Sequence, residues 1–405
     1  MSNSQVAAVV IFTLTYGALA LGRVPWLRLD RAGISLLGAA AMLVFGALTP
    51  EQAYRAVDLD TLVLLLGMMI VVAHLKVSGF FRAMSAMVVA PIHSGTILLV
   101  VITLVTGVLS AFLVNDAICL VMAPLAIEVA KRLDRNPVPD LLAVATAANV
   151  GSVATITGNP QNMIIGLSSH IPYGAFAAAL APVAAVGLAI VILVIAVTHR
   201  AEFRRAASSK TALVRVRLHR GQTIKALLVT LALVIAFFAG VPVAEAALVG
   251  GAALLVTRGV KPERIYRELD GTLLLMFAGL FVVVAGFERA VVTPDLVARV
   301  GGLGLDVPWK LSLVTAGLSN LVSNVPAVLV LKPFIAGVAD PAHAWLVVAM
   351  SSTLAGNLTL LGSVANLIVA EKARAEGIEI SFATYLRVGL PVTILSLAFG
   401  IWWLS

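Results

Sequence analysis

The chain reads as an all-α membrane protein, with ten transmembrane helices and two re-entrant hairpins arranged as two inverted-topology repeats. Three observations predict this. Of 405 residues, 60% are hydrophobic and only 12% charged, with mean hydropathy +1.05, where a soluble domain carries about 25% charged residues. The apolar runs are about 17–20 residues long, enough for a helix to cross a ~30 Å hydrocarbon core. They lack the period-2 alternation and ~10-residue length of barrel strands. The third observation is internal repetition. TPEQAYRAVDLDTLVLLLGMMIVVA (49–73) recurs as KPERIYRELDGTLLLMFAGLFVVVA (261–285), so that Pro50, Glu51, Tyr54, Arg55, Asp58 and Gly67 return 212 positions later as Pro262, Glu263, Tyr266, Arg267, Asp270 and Gly279. LSAFLVNDAICLVMAP (109–124) matches LSNLVSNVPAVLVLKP (318–333) at an offset of 209, and TGNPQN (157–162) matches LGSVAN (361–366) at 204. An apolar chain duplicated over half its length is the mark of a secondary transporter built from structural repeats.

Repeat 1 is expected over 1–199. Its first run, 5–22, has no basic segment before it and no small-residue cleavage site, so it is a retained span and not a signal peptide. Spans follow at 32–48 and 61–78. The stretch 95–132 is too long for one crossing and too short for two with a loop, and Asn115-Asp116 interrupts its centre. A hairpin that enters and leaves on one side fits both facts. Spans at 140–168 and 173–197 complete the repeat. A basic linker, 200–222, leads to repeat 2 (223–405), with spans at 224–240, 244–257, 272–290, 342–370 and 383–404 and a second hairpin at 308–339.

Basic residues test this layout. One side receives 23 of the 28 Lys and Arg and the other receives 4, with Lys332 unassigned. The positive-inside bias puts the rich side in the cytoplasm and both termini outside. Five spans per repeat force opposite orientations, so the first hairpin opens to the cytoplasm and the second to the exterior, and their tips meet near the midplane. The net charge of +8 is explained by this topology, without nucleic acid. The single cysteine, Cys119, is read as a buried inert thiol.

Non-helical backbone at membrane depth survives only where protein or a water-filled cavity satisfies it. Four places need this: the two tips, and the interruptions at Thr157-Gly158-Asn159-Pro160-Gln161-Asn162 and Leu361-Gly362-Ser363-Val364-Ala365-Asn366. Pro160 removes a helix donor, and Gly158 and Gly362 permit unwound backbone. Broken helices present free N–H groups at one end and free carbonyls at the other. Asn side chains offer both donor and acceptor. The expected solute ligands are Asn115, Thr157, Gly158, Asn159, Asn162, Ser323, Asn324, Gly362, Ser363 and Asn366. Asp116 is the one acidic residue expected at membrane depth, which makes it the candidate coupling residue, although a capping role for the second hairpin arm is the plainer alternative. Lys332 either snorkels to the outer interface or faces the cavity as a counter-charge.

NDAICLVMAP, GSVATITGNPQNMIIG, SNVPAVLVLKP and LGSVAN resemble the signatures of the ion transporter superfamily, which includes arsenite permeases, NhaD-type Na+/H+ antiporters, citrate transporters and divalent anion/sodium symporters. The GNPQN run is most similar to the arsenite-permease and silicon-efflux branch. The symporter branch carries Ser-Asn-Thr at each tip. Here the tips are Val114-Asn115-Asp116 and Ser323-Asn324-Val325, so both threonines are replaced. The resemblance implies a scaffold domain from the first spans of each repeat, a transport domain from hairpins and broken spans, an elevator-like movement between them, and a homodimer.

The expected function is secondary transport of a small inorganic oxyacid or oxyanion, arsenite-like, across the cell (inner or plasma) membrane. Proton coupling and efflux are favoured. The alternative is sodium-coupled uptake of an inorganic anion or a di- or tricarboxylate. No cofactor or metal is expected, and no enzymatic activity, because the six histidines (74, 93, 170, 199, 219, 343) lack ligand spacing. There is no ATP-binding loop, which leaves room for a separate ATPase partner.

Overall fold

Chains that cannot alternate polar and apolar faces satisfy their backbone within helices, and every regular element among the described residues is helical. The computed structural model describes residues 3–21, 29–81, 83–84, 94–203, 219–257, 259–293 and 304–405. In order, the first half contains α1 (Asn3–Leu21), α2 (Arg31–Val44), α3 (Pro50–Ala56), α4 (Leu59–Ser78), α5 (Gly95–Phe112), α6 (Asn115–Arg132), α7 (Val138–Ser152), a 3₁₀ turn (Ile156–Gly158), α8 (Pro160–Ser169), α9 (Tyr173–Thr198) and α10 (Arg200–Phe203). The second contains α11 (Arg220–Phe238), α12 (Val243–Leu255), α13 (Pro262–Tyr266), α14 (Gly271–Val291), α15 (Pro308–Val322), α16 (Asn324–Ile335), α17 (Pro341–Ala355), α18 (Val364–Ala375) and α19 (Phe382–Trp403).

Seven of the described helices, α1, α4, α5, α9, α11, α14 and α19, are long and apolar enough to cross a membrane. This differs from ten plain spans in specific ways. Helices α2 and α12, at 14 and 13 residues, are shorter than a crossing. The expected spans 140–168 and 342–370 are each broken in two, α7 with α8 and α17 with α18, at the predicted interruptions. Helix α5, expected as a hairpin arm, is itself 18 residues and of crossing length. Most of the linker 200–222 lies outside the described residues, and α11 begins within it, at Arg220.

The recurring motif now has a structural cause. Asp58 accepts from the Thr61 N–H at 3.0 Å and Asp270 from the Leu273 N–H at 3.0 Å, so each caps the long helix that follows it. Pro50 and Pro262 open the short helices before them, where a missing N–H costs nothing. Gly67 on α4 lies against Ala247 of α12, where an added Cβ would come within 2.5 Å of backbone. Gly279 on α14 lies against Ser35 of α2, with the corresponding distance 2.7 Å. These are the same crossing twice, since Gly67 and Ser35 stand 212 positions before Gly279 and Ala247. Each pair joins one helix from each half of the chain.

The remaining helices pack in matched groups. Both α5 and α6 bear on α7, and both α15 and α16 bear on α17. Helix α6 also packs on α18, and α16 on α8. Each half's helix pair around a polar break is therefore seated on the broken segments of both halves. Ion pairs Lys76–Glu268 and Lys131–Glu376 link chain ends far apart in sequence.

Candidate functional site

Two helix pairs break at polar residues deep in the molecule, and the two breaks face one cavity. Helix α5 ends at Phe112, Leu113 is extended, and α6 starts at Asn115 after Val114. Helix α15 ends at Val322, and Ser323 turns the chain at φ 78° before α16 starts at Asn324. A non-glycine residue there is strained.

The cavity, of about 180 Å³, is lined from the first tip by Asn115 and Asp116 and from the second by Ser323, Asn324 and Val325. The starts of the two helices after the breaks add Pro160 and Gln161 of α8, and Ser363 and Val364 beside α18. Three lining pairs are repeat mates: Asn115 with Asn324 and Asp116 with Val325 at an offset of 209, and Pro160 with Val364 at 204. The opposite wall comes from the N-terminal ends of α2 and α14, with Arg31, Asp270, Thr272, Met276 and Phe277.

Behind the cavity lies a buried amide network. Asn149 of α7 uses all four of its hydrogen-bonding positions. Its Oδ1 accepts from Asn115 Nδ2 at 3.1 Å and Ser363 Oγ at 3.0 Å, and its Nδ2 donates to Asn357 Oδ1 at 2.9 Å and Asn366 Oδ1 at 3.1 Å. One side chain thus ties the first tip to the second break. Asn357 in turn donates to the Thr146 carbonyl at 3.2 Å.

The two breaks are filled alike. Asn162 Nδ2 donates to the carbonyls of Ser152 at 3.1 Å and Thr155 at 3.0 Å. Asn366 Nδ2 donates to those of Gly356 at 2.7 Å and Thr359 at 3.1 Å. Every one of these residues is separated from its mate by 204 positions. The carbonyls exposed by unwinding are therefore satisfied by an internal amide, as buried backbone groups require. Asn159 caps α8 by accepting from the Asn162 N–H at 2.8 Å, and its Nδ2 reaches Ser152 Oγ at 2.9 Å and Thr353 Oγ1 at 3.2 Å. Thr157 and Tyr173 share a hydroxyl–hydroxyl hydrogen bond of 2.8 Å. Gly158 allows an approach to Ser152 that a Cβ, only 2.2 Å from its carbonyl oxygen, would block.

The predicted residues therefore separate into two layers. Asn115, Asp116, Ser323, Asn324 and Ser363 line the cavity. Thr157, Gly158, Asn159, Asn162, Gly362 and Asn366 do not line it; they shape the breaks behind it. Lys332 is exposed on α16 and is not among the cavity residues, which agrees with the first of its two alternatives, an exposed side chain, and not with a counter-charge in the wall. The basic group that does stand there is Arg31, with Asp270 beside it, and these are the two charged groups whose fields reach Asp116. Sequence reasoning left both in loops, because a charge at a helix end is the ordinary pattern. The available signal was Asp270's place in the duplicated motif. Gln161, fully packed and donating to Thr353 Oγ1 at 3.1 Å, is a further cavity residue.

The sequence profile of the citrate transporter family matches residues 10–349 and 291–405. The chain belongs to the citrate transporter family. A silicon efflux transporter of Oryza sativa subsp. japonica, LSI3, is 30% identical, with 93% of each chain covered. A putative transporter of Dictyostelium discoideum, arsB, is 25% identical over 93% of this chain and 87% of that protein. The crystal structure of the Alcanivorax borkumensis YdaH transporter superposes with a TM-score of 0.62 over 100% of this chain and 97% of that one, at 16% identity, a likeness of fold alone. This member of the citrate transporter family is thus a multi-pass membrane transporter and not an enzyme.

Proposed function

We propose that the protein is a proton-coupled secondary transporter of a small hydroxylated inorganic solute, an oxyacid or oxyanion of the arsenite or silicic acid kind, working by efflux. The observation that carries this is the cavity built from repeat-mate residues of both tips and both breaks. At about 180 Å³ it is smaller than the ~300–1,000 Å³ of pockets that take drug-sized ligands. Its polar lining is mostly amide and hydroxyl, which suits a neutral solute offering O–H groups. With Asp116 and Asp270 against Arg31, the wall has no excess positive charge for a di- or tricarboxylate. The relatives' names, silicon efflux and arsB, point toward the same solute class.

Protons are preferred over sodium as the coupling ion for a structural reason. The break carbonyls that a sodium ion would need already accept from Asn162 and Asn366. Asp116 remains as the membrane-depth group that can carry a proton.

In this reading the helix pairs α5–α6 and α15–α16 are re-entrant hairpins, opening to the cytoplasm and the exterior respectively. With α7, α8, α17 and α18 they form the moving part of an elevator, and α1, α2, α4, α11, α12 and α14 form the scaffold of a homodimer. Both termini lie outside the cytoplasm. The ion pairs Lys76–Glu268 and Lys131–Glu376 each join residues that this topology puts on the cytoplasmic side. The test is flux into proteoliposomes of arsenite and silicic acid, with citrate as a competitor, under imposed pH or sodium gradients. Asp116→Asn is expected to abolish the response to pH while the protein stays folded. Sodium-driven flux, or citrate carried in place of the oxyacids, would select the alternative reading.

A further inference from the structure

The cavity is symmetric on one wall and one-sided on the other. Tips and breaks contribute repeat mates from both halves. The scaffold wall comes only from α2 and α14. Their mates, 212 positions away, are α12 and α4, and these line no part of the cavity. Helix α4 instead packs against α8, and Thr61, the mate of Leu273, is fully buried with its hydroxyl unpartnered. A two-fold polar core docked on one half of a two-fold scaffold has an equivalent dock on the other half.

The two docks differ in charge. Arg31, Asp270 and Thr272 in the occupied dock correspond to Val243, Asp58 and Asp60 in the vacant one. The scaffold charge facing the tips is thus balanced in the present arrangement and two negative in the exchanged one. We propose that this exchange sets the direction of proton movement: Asp116 takes up a proton where Asp58 and Asp60 face it, and gives it up where Arg31 faces it. The inference rests on the proposed topology, the elevator movement and proton coupling through Asp116, and adds to them the residues that bind and release.

The neighbours of Asp116 leave these groups in control. Among the helices packed on α6, α5 has no ionisable residue, α7 has only Asp140 in its first turn, and α18 has Glu371, Lys372 and Arg374 toward its C-terminal end. That end adjoins Lys131 through Glu376, 15 residues from Asp116, or roughly 22 Å along α6. Cys119 lies one turn away on α6, with Tyr385 of α19 beyond it. Across the membrane, Arg55 is bound to Glu51 at 2.6 Å, and its mate Arg267 is not a cavity residue in the present arrangement.

An opposite charge close by favours the carboxylate and like charges favour the acid; the proposed topology puts Arg31 at the cytoplasmic side and Asp58 and Asp60 at the exterior, so in this proposal the proton binds from the exterior and leaves to the cytoplasm. Inward proton flow of this kind drives efflux of the solute by exchange.

Two measurements test this. Dicyclohexylcarbodiimide modifies carboxyl groups in their protonated form, and mass spectrometry of the Asp116 peptide across a pH series gives a labelling midpoint in the purified protein without any transport. Arg31→Gln is expected to raise that midpoint by about one pH unit and Arg31→Lys to restore it; an unchanged midpoint in Arg31→Gln overturns the proposal. In proteoliposomes exchanging arsenite for protons, Asp60→Asn is expected to shift the half-maximal exterior pH about one unit lower and leave the interior dependence alone. An unchanged exterior dependence also overturns it. Failure of proton coupling itself has a separate signature, an Asp116→Asn variant with wild-type pH response.

Discussion

Val114-Asn115-Asp116 and Ser323-Asn324-Val325 hold matching positions in the two halves, yet they are restrained in opposite ways. At the first tip the backbone keeps a negative φ, Val114 standing at −46°, and the Asn115 amide is tied to Asn149. At the second the backbone is strained, with Ser323 at φ 78°, and Asn324 Oδ1, like Asn115 Oδ1 at the first, is buried without a partner. The first tip is anchored by its side chain and carries the ionisable group. The second is held by backbone and packing, and lacks an ionisable group. Under the proposed coupling the duplicated segments divide their tasks unequally: only the first tip has an ionisable group, while each tip keeps one unpartnered amide oxygen available to a solute.

The comparison presupposes a scaffold that is equivalent in both halves, and the largest expected effects test that. Gly67→Val and Gly279→Val each push a side chain into backbone, at Ala247 and Ser35, and each is expected to cost about 3 kcal/mol or more, because backbone cannot give way as a side chain can. Thermal unfolding in detergent should show similar losses for both. If one were tolerated, the two crossings would not be equivalent and the exchange of docks would lose its basis. Asn149→Ala comes next. It leaves the Asn357 and Asn366 oxygens and the Asn115 amide without their partner, at a cost of about 2–3 kcal/mol. Unfolding of this variant at wild-type temperature would show that the network does not hold the first tip.

The tips themselves are compared by single truncations. Asn115→Ala removes a hydrogen bond and is expected to cost about 1 kcal/mol. Asn324→Ala removes an unpaired oxygen and is expected to change stability by less than about 0.5 kcal/mol, while weakening arsenite binding at least tenfold. The informative result is the contrast between melting temperature and binding in the same two proteins. A reversed order, with Asn324→Ala the less stable, would remove the division of tasks.

What the sequence disclosed follows from the bilayer. A polar residue inside an apolar run stands out because hydrocarbon offers it no partner. Asn115, Asp116, Ser323 and Asn324 were therefore legible, and duplication turned Thr157–Asn162 and 361–366 from curiosities into a pattern. Helix breaks at Pro160 and Gly362 were legible for the same reason. Asn149 reads in the sequence as one more polar residue of an apolar helix, because its partners Asn357 and Asn366 are more than 200 residues away, and only tertiary structure brings them to it. Arg31 and Asp270 were hidden by their position at helix starts, where a charge is unremarkable. In the sequence Lys332 has two positions open to it, interface or cavity, because periodicity alone does not tell which face of a short helix is exposed; its side chain is exposed and outside the cavity lining.

The smallest expected effect is the most specific to the comparison. Ser323 adopts a conformation that glycine reaches without penalty, so Ser323→Gly is expected to stabilise the protein by about 1 kcal/mol, the strain being relieved. At the first tip Val114 has a negative φ that gives glycine no advantage, and Val114→Gly is expected to destabilise by about 0.5–1 kcal/mol through added freedom of the unfolded chain. The two substitutions are identical in kind and opposite in sign. If Ser323→Gly proves destabilising, the Ser323 side chain contributes more than its backbone strain costs. If it stabilises and solute affinity falls, the strain at the second tip holds Asn324 ready for the solute, which is the difference between the two tips expressed in a single measurement.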